Sequence, residues 1–366
     1  MPGLVGGFGN FKKKNLFYFS INNNNKEIEN IKDVIQIKPS DLSLLSLSLK
    51  EVDKDEEIFS NSNLSSYLAG LIEGDGTFAI HDVNSTSKKY RPMIIIVFKK
   101  ADLPLAQYLK KITNCGKIFI KSNRGYVLWQ IQDIVGVFTI VNLINGYMRT
   151  PKIEALQRTI IWLNDYILNN QFSKLSSTKL ILSKIYPLEP KSLDNSSIDS
   201  NNWLSGFSDA DGNFSMNIHK RTKNNLTRVQ LYYRLEIRQT YHKLDSDGKK
   251  VSFFSIMSIL AQFLGVNVLS RTRIKDEKQY YSFTVMAHNK NSLCKVKEYF
   301  NKFPLLSSKY LDYKDWLYIL ELQKANSITT SYLNKAINIR KDFNKTRTTY
   351  KWDHLNDCYL TKNKIN

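Results

Sequence analysis

The sequence predicts an α+β fold made of two pseudo-symmetric halves, each running α-β-β-α-β-β-α-α, with their sheets side by side as a saddle. Three observations predict it. A nine-residue motif occurs twice, the hydrophobic period changes from helical to alternating directly after each copy, and the same succession of elements follows both. The copies are Leu68 to Gly76, LAGLIEGDG, and Leu204 to Gly212, LSGFSDADG, 136 residues apart.

Each copy reads as a helix built to touch another helix closely. Gly70 with Gly74, and Gly206 with Ala210, stand four apart and so share one face, a strip along which two backbones can approach. Leu68, Leu71 and Ile72, and in the second copy Leu204 and Phe207, fill the flanks, and Ser65 or Ser66 is the expected N-cap of the first helix. Asp75 and Asp211 close the two helices, where the backbone dipole is already negative and a carboxylate is disfavoured by up to ~1 kcal/mol. Asp-Gly often does no more than end a helix. A doubled occurrence, preceded by an aromatic (Tyr67, Trp203) and followed by Phe78 or Phe214, argues for more. Helices packed this way bring two carboxylates together at two negative ends, a repulsive site that suits Mg²⁺. Glu73 and Asp209, two residues earlier, read as helix-end polar residues.

In the first half, Phe78 and Ile80 alternate with Thr77, Ala79 and His81 as a strand, Met93 to Phe98 is a β-branched run, and Asp102 to Thr113 is a helix. Lys117 to Lys121 and Tyr126 to Gln132 form a hairpin, and Ile134 to Ile144 and Lys152 to Leu163 are helices. The second half repeats the order. Its strands are Asn213 to His219, Arg228 to Arg238, Val268 to Lys275 and Tyr280 to Ala287, and its helices Phe253 to Leu264, Leu293 to Asn301 and Lys309 to Gln323. An inserted loop, Tyr241 to Lys250, sets it apart. The expected halves are therefore 63–165 and 201–330, joined by a linker at 166–200 and followed by a basic tail at 331–366 carrying Arg340, Lys341, Lys345 and Arg347. The polar residues 11–62 read as a poorly ordered leader with a short helix near Ser40 to Val52.

Lys and Arg number 53 against 33 Asp and Glu, a net charge of +20 that favours a polyanionic partner. No run approaches the length of a membrane span, so no membrane partner is expected. Cys115, Cys294 and Cys358 lack paired spacing for zinc or a disulfide framework, and the five histidines are dispersed.

The strand Arg228 to Arg238 is the most informative. Val229, Leu231, Tyr233, Leu235 and Ile237 point one way, and Arg228, Gln230, Tyr232, Arg234, Glu236 and Arg238 the other. A solvated face explains such alternation, but Arg and Gln are also the residue types that contact guanine and adenine edges. Asn217, His219, Arg271, Arg273 and Lys275 extend that surface, as do Lys117 and Lys121 in the first half. Two such sheets would read double-stranded DNA through its major groove.

Both motif copies resemble the signature of the LAGLIDADG homing endonucleases and the related group I intron maturases, in the single-chain, two-repeat form, over residues 63–330. The resemblance implies a monomer whose motif helices form the interface between halves. It implies further that Asp75 and Asp211 hold Mg²⁺ over the scissile phosphates and that both DNA strands are hydrolysed. It also implies polar and basic groups at the site edge, for which Gln239, Lys152 and Lys309 are the candidates, with Lys99 or Lys100 as alternatives in the first half. The opening MPGLVGGFGN resembles a stretch of mitochondrial cytochrome c oxidase subunit I and then turns abruptly to FKKKNLFYF, as an exon running into an intron reading frame would. A protein made in the mitochondrial matrix and a target at the intronless exon junction are the expectations that follow. Binding of its own group I intron RNA as a splicing maturase is the alternative, since basic, aromatic surfaces serve RNA too.

Overall fold

The computed structural model describes residues 61–80, 91–220, 227–244, 247–324 and 330–361. The leader with its expected short helix, the exon-like start and His81 lie outside them. The first half contains α1 (Ser62–Asp75), β1 (Gly76–Ala79), β2 (Met93–Lys99), α2 (Leu103–Thr113), β3 (Lys117–Lys121), β4 (Tyr126–Ile131), α3 (Ile134–Ile144) and α4 (Ile153–Asn170). A short helix, α5 (Ser176–Leu182), lies between the halves. The second half contains α6 (Trp203–Asp211), β5 (Gly212–Lys220), β6 (Thr227–Arg238), β7 (Thr240–Leu244), β8 (Lys250–Ser252), α7 (Phe254–Leu264), β9 (Val268–Lys275), β10 (Lys278–Ala287), α8 (Lys290–Lys302) and α9 (Lys309–Lys324). Last comes α10 (Thr330–Lys341).

Each half folds as a four-stranded antiparallel sheet, in the orders β1-β2-β4-β3 and β5-β6-β10-β9. Gly76 pairs with Ile96 and Gly212 with Leu235, so the two sheets leave their motif helices in the same register. Lys99 and Arg238 consequently occupy equivalent places. Along β6 the predicted alternation is present: Val229, Leu231, Tyr233 and Leu235 are buried and the residues between them are not.

Four expectations change. The cap of α1 is Asn61, whose side-chain oxygen accepts from the Asn63 and Leu64 N–H groups at 3.1 and 3.0 Å. Ser65 and Ser66 are buried inside the helix, and Ser66 Oγ instead donates to Ser62 O and accepts from the Asn202 N–H of the other half. The last helix of the first half runs on to Asn170, because Tyr166 and Ile167 extend its apolar face past Leu163, so the link between halves is more helical than its polar ending suggests. The inserted loop is a β-hairpin, β7 with β8, its residues 245 and 246 lying outside those described. Its counterpart in the first half is only the 3₁₀ turn Lys100–Asp102. The basic tail packs back on the body: Phe343, Leu355, Cys358 and Leu360 are buried, and the Asn61 amide donates to Leu360 O. Arg347 of that tail is enclosed between Asp312 and Asp315 at 2.9 and 2.5 Å.

Candidate active site

The two motif helices touch backbone to backbone. A Cβ placed on Gly70 would lie 2.0 Å from Trp203 O, and one on Gly206 would lie 2.0 Å from Tyr67 O. A Cβ on Gly74 would meet Ala210 Cβ at 2.2 Å. All four predicted interface residues therefore sit on the seam, and only hydrogen in place of Cβ at both glycines permits this approach.

Glu73 and Asp209 are more than helix-end polar residues. Glu73 is buried and accepts from the Arg149 and Thr150 N–H groups at 3.0 and 2.6 Å, which fixes the turn leading into α4. Asp209 does the same in the second half, accepting from Leu306 and Ser307 N–H at 2.8 and 3.2 Å ahead of α9. Each also takes a hydrogen bond from across the seam. Tyr67 OH donates to Asp209 at 2.7 Å, and Trp203 Nε1 donates to Glu73. Burial raises both carboxyls above their ordinary range while these donors pull them back toward ionisation.

The turns so fixed deliver Lys152 and Lys309. Lys152 Nζ donates to the carbonyls of Ile72, Gly74 and Gly76 at 3.0, 3.4 and 2.8 Å. Lys309 Nζ donates to Ser208 and Ala210 at 3.0 and 2.6 Å. Each lysine thus closes the C-terminal end of a motif helix, where orphan carbonyls and the dipole favour a cation. Burial pushes Lys152 down to about 8 and lowers Lys309 as well.

Asp75 and Asp211 line one cleft of about 430 Å³. Desolvation by its walls, followed by the Asp211 charge, pushes the Asp75 carboxyl up to about 6, against the pull of Lys309 and Lys152. Asp211 is also raised by desolvation. Thr77 and Val97 of the first sheet and Glu236 and Arg238 of the second line the same cleft, so both outward sheet faces end at the carboxylates.

Gln239 is not in that cleft. Its amide donates to Ser270 Oγ at 2.7 Å and to Ser282 O at 3.3 Å in the adjoining hollow, because the strand's alternation turns Arg238 toward the acids. On the second sheet, Asn217 opposes Gln230 and His219 opposes Arg228, with Arg234 further along the same face. Arg271, Arg273 and Lys275 are exposed on β9, but the two arginines share Glu236 at 3.5 and 2.5 Å. Gln230 accepts from Tyr232 OH at 2.8 Å. On the first sheet, Lys117 and Lys121 are exposed and flank Phe119, itself 37% exposed.

The LAGLIDADG endonuclease family model matches residues 68–163 and 204–320, one stretch in each half. The chain belongs to that family. It is 45% identical over 373 residues to the intron-encoded DNA endonuclease aI3 of Saccharomyces cerevisiae, covering 98% of this chain and 82% of that one. To the intron-encoded RNA maturase bI4 of the same yeast it is 31% identical over 153 residues, 42% of this chain and 19% of the other. Among solved structures, that of the LAGLIDADG homing endonuclease I-GzeII in complex with its DNA target matches with a TM-score of 0.57 at 18% identity, over 78% of this chain and 99% of that one, a likeness of fold.

Within this LAGLIDADG chain, sequence reasoning missed Arg158, Tyr241 and His242, which line the cleft beside the acids. Arg158 and Glu154 stand four apart on α4 and look like an ordinary solvated pair, and the other two lie in what reads as a loop. No periodic signal marks any of them.

Proposed function

We propose that this chain is a site-specific double-strand DNA endonuclease of a mitochondrial group I intron, acting as a monomer in the matrix on the intronless exon junction of a cytochrome c oxidase subunit I gene. One observation carries the reading. Asp75 and Asp211, one from each half, meet in a cleft where two outward sheet faces converge. The DNA endonuclease aI3 and the DNA-bound I-GzeII support it, as does the exon-like start Met1 to Asn10.

The donor set fits Mg²⁺. Among the described residues no group of three or more His, Cys, Asp and Glu forms a metal site, and Mg²⁺ ordinarily takes one or two carboxylates and completes its shell with phosphate and water. Asp75 and Asp211 would hold the ion, which would supply Lewis-acid activation of a phosphodiester oxygen and of water. The chain's own groups do the rest. Asp75 and Asp211 must both be ionised to hold the cation, and one carboxylate from each half serves one strand. Lys152 and Lys309 direct their ammonium hydrogens to helix carbonyls, so they act as fixed charges that keep the acids ionised and in place. Arg228, Gln230 and Arg234 on β6, with Asn217 and His219 beside them, read base edges on one half-site, while Arg238 at the strand's end faces the backbone phosphates beside the acids. Lys117 and Lys121 hold phosphates on the other, and exposed Phe119 offers apolar contact to a thymine methyl.

The test is cleavage of a synthetic duplex carrying the uninterrupted junction, with Mg²⁺, alongside Asp75→Asn and Asp211→Asn. A double-strand cut at the Asn10 codon, lost in both variants, is expected. The likeness to the RNA maturase bI4 favours intron RNA as the second reading. Absence of any cut together with tight binding of the folded intron would transfer the chain to that class.

A further inference from the structure

Lys309 is delivered to the end of α6 by a turn, Pro304 to Ser308, that is held from several directions. Asp209 takes the Leu306 and Ser307 N–H groups, and Asp102 of the first half takes the Ser308 N–H at 2.7 Å. The carbonyls of the turn need donors as well, and two of these come from the tail, beyond α9 and α10. Tyr359 OH donates to Pro304 O at 2.9 Å, and His354 Nε2 donates to Leu306 O at 3.0 Å. Leu306 is buried, so a donor lost there leaves a buried acceptor unpaired.

His354 grips the turn twice. Its ring stacks on Tyr310, the residue after Lys309, with centroids 4.2 Å apart and planes 19° from parallel. Trp352 stacks on it as well, at 5.5 Å. One side chain thus fastens residue 306 through a carbonyl and residue 310 through a ring, and Lys309 lies between them. A carbonyl only accepts, so Nε2 carries the proton, and burial favours the neutral ring by lowering its pKa.

The first half braces its own lysine from a different place. Glu73 and Asp209 hold their turns alike, so Arg149 and Thr150 correspond to Leu306 and Ser307, and Lys152 corresponds to Lys309. There the link between halves does the bracing: the Asp194 N–H donates to Met148 O at 2.8 Å, and the Asp194 carboxylate pairs with Arg149 at 2.7 Å. Each lysine is therefore set partly by chain that follows its half. In the second half the contacts that bracket the lysine belong to one side chain, His354.

We propose that His354 is a positioning residue for Lys309, a tail side chain that fixes the turn and so sets the ammonium against the end of α6 beside the paired carboxylates. The inference rests on the endonuclease reading. Lys309 Nζ donates to Ala210 O at 2.6 Å, one residue from Asp211, and a misplacement of about 1 Å at such a site costs on the order of a hundredfold in rate. His354 does not line the carboxylate cleft, so its removal acts on the rate through Lys309 and leaves duplex binding in place.

The experiment compares full-length wild type, His354→Ala, His354→Gln, Lys309→Met and the double variant His354→Ala with Lys309→Met. Each is assayed by single-turnover cleavage of the junction duplex with saturating enzyme and Mg²⁺, and by duplex binding in EDTA, at a temperature where melting shows it folded. His354→Ala lowers the cleavage rate by about tenfold to a hundredfold and changes the dissociation constant by less than about threefold. His354→Gln, which returns an N–H donor of similar reach, recovers most of the rate. Adding His354→Ala to Lys309→Met costs less than about twofold, because the lysine it would misplace is gone. A wild-type rate in His354→Ala, an equal loss in both backgrounds, a glutamine variant as slow as alanine, or weaker duplex binding without loss of rate overturns the inference alone. Where Lys309→Met does not fold, the glutamine rescue and the split between rate and binding decide. A wild-type chain that does not cut overturns the endonuclease reading and this inference with it.

Discussion

Replacing Asp75 by Asn should make the metal-free protein more stable and the metal-loaded protein less so. The unfolded chain releases this proton near its ordinary 3.8, the folded chain at about 6. Between those values the folded state holds the proton, so stability falls as pH rises from about 4 to about 6 and stays lower above it. The rise corresponds to about 3 kcal/mol at about 1.4 kcal/mol per tenfold change in acidity. Asp75 has an exposed rim, so solvent screening reduces this to about 1 kcal/mol. In a folded body of this size that is about 2 °C in Tm. The assay is thermal melting at pH 7.5 and 5.5, with EDTA and with Mg²⁺. With EDTA at pH 7.5, Asp75→Asn melts above wild type, and the gap narrows by about a quarter at pH 5.5, as wild type begins to regain its proton, and closes only near pH 4. Added Mg²⁺ raises wild type by mass action and leaves the variant unmoved. A variant that melts no higher than wild type in EDTA, or that gains equally from Mg²⁺, would refute the account of these carboxylates as a strained pair awaiting a cation.

Three further outcomes follow from the same geometry. Gly70→Ala and Gly206→Ala each drive a methyl into a facing backbone carbonyl and should cost about 3 kcal/mol or more in urea unfolding, since overpacking against backbone cannot be relieved by a rotamer change; melting at wild-type concentrations would deny the close seam. Glu73→Gln turns an amide donor toward a site ringed by donors from Arg149, Thr150 and Trp203, and should lose about 1–3 kcal/mol while also lowering the cleavage rate through the displaced Lys152 turn; unchanged values for both would show that the turn is held by other bonds. Lys117→Ala with Lys121→Ala should weaken binding to specific and random DNA alike and reduce the salt dependence of binding by about one unit for each phosphate no longer neutralised; weakening confined to the specific site would place these lysines on bases.

What could be read from the sequence was what local pattern encodes. The small residues Gly70, Gly74, Gly206 and Ala210 announced a close helix pair through spacing alone, and Arg228 to Arg238 announced a strand with one apolar face. The helix Ile134–Ile144 and the strands Lys117–Lys121 and Val268–Lys275 end at the expected residues, because a helix-capping Asp133 and positive-φ positions at Asn114, Gly116 and Asp276 punctuate the chain there. What could not be read depends on pairings far apart in the chain. Tyr67 with Asp209 and Trp203 with Glu73 lie 142 and 130 residues apart, and nothing near either acid says that it faces a ring. Lysines look alike in a chain this basic, and only the fold shows that Lys152 and Lys309 bond to carbonyls rather than standing free. Gln239 lies outside the carboxylate cleft by a single step of strand alternation, which sends Arg238 to the acids and Gln239 to the next hollow. Asn61, Ser65 and Ser66 are all good caps, so propensity does not choose among them, and the choice is made by the second half, which takes Ser66 as an acceptor for the Asn202 N–H.

The crossed aromatic bonds also make the seam a keyed joint. A tyrosine is matched to the shorter acid and a tryptophan to the longer one. If either half paired with a copy of itself, Tyr67 would confront Glu73, or Trp203 would confront Asp209, and each reach would be wrong by about a methylene. Neither half is therefore its own best mate. A chimaera that borrows one half from a relative inherits only half of the key, and must bring the ring and the acid of the opposite helix along with it.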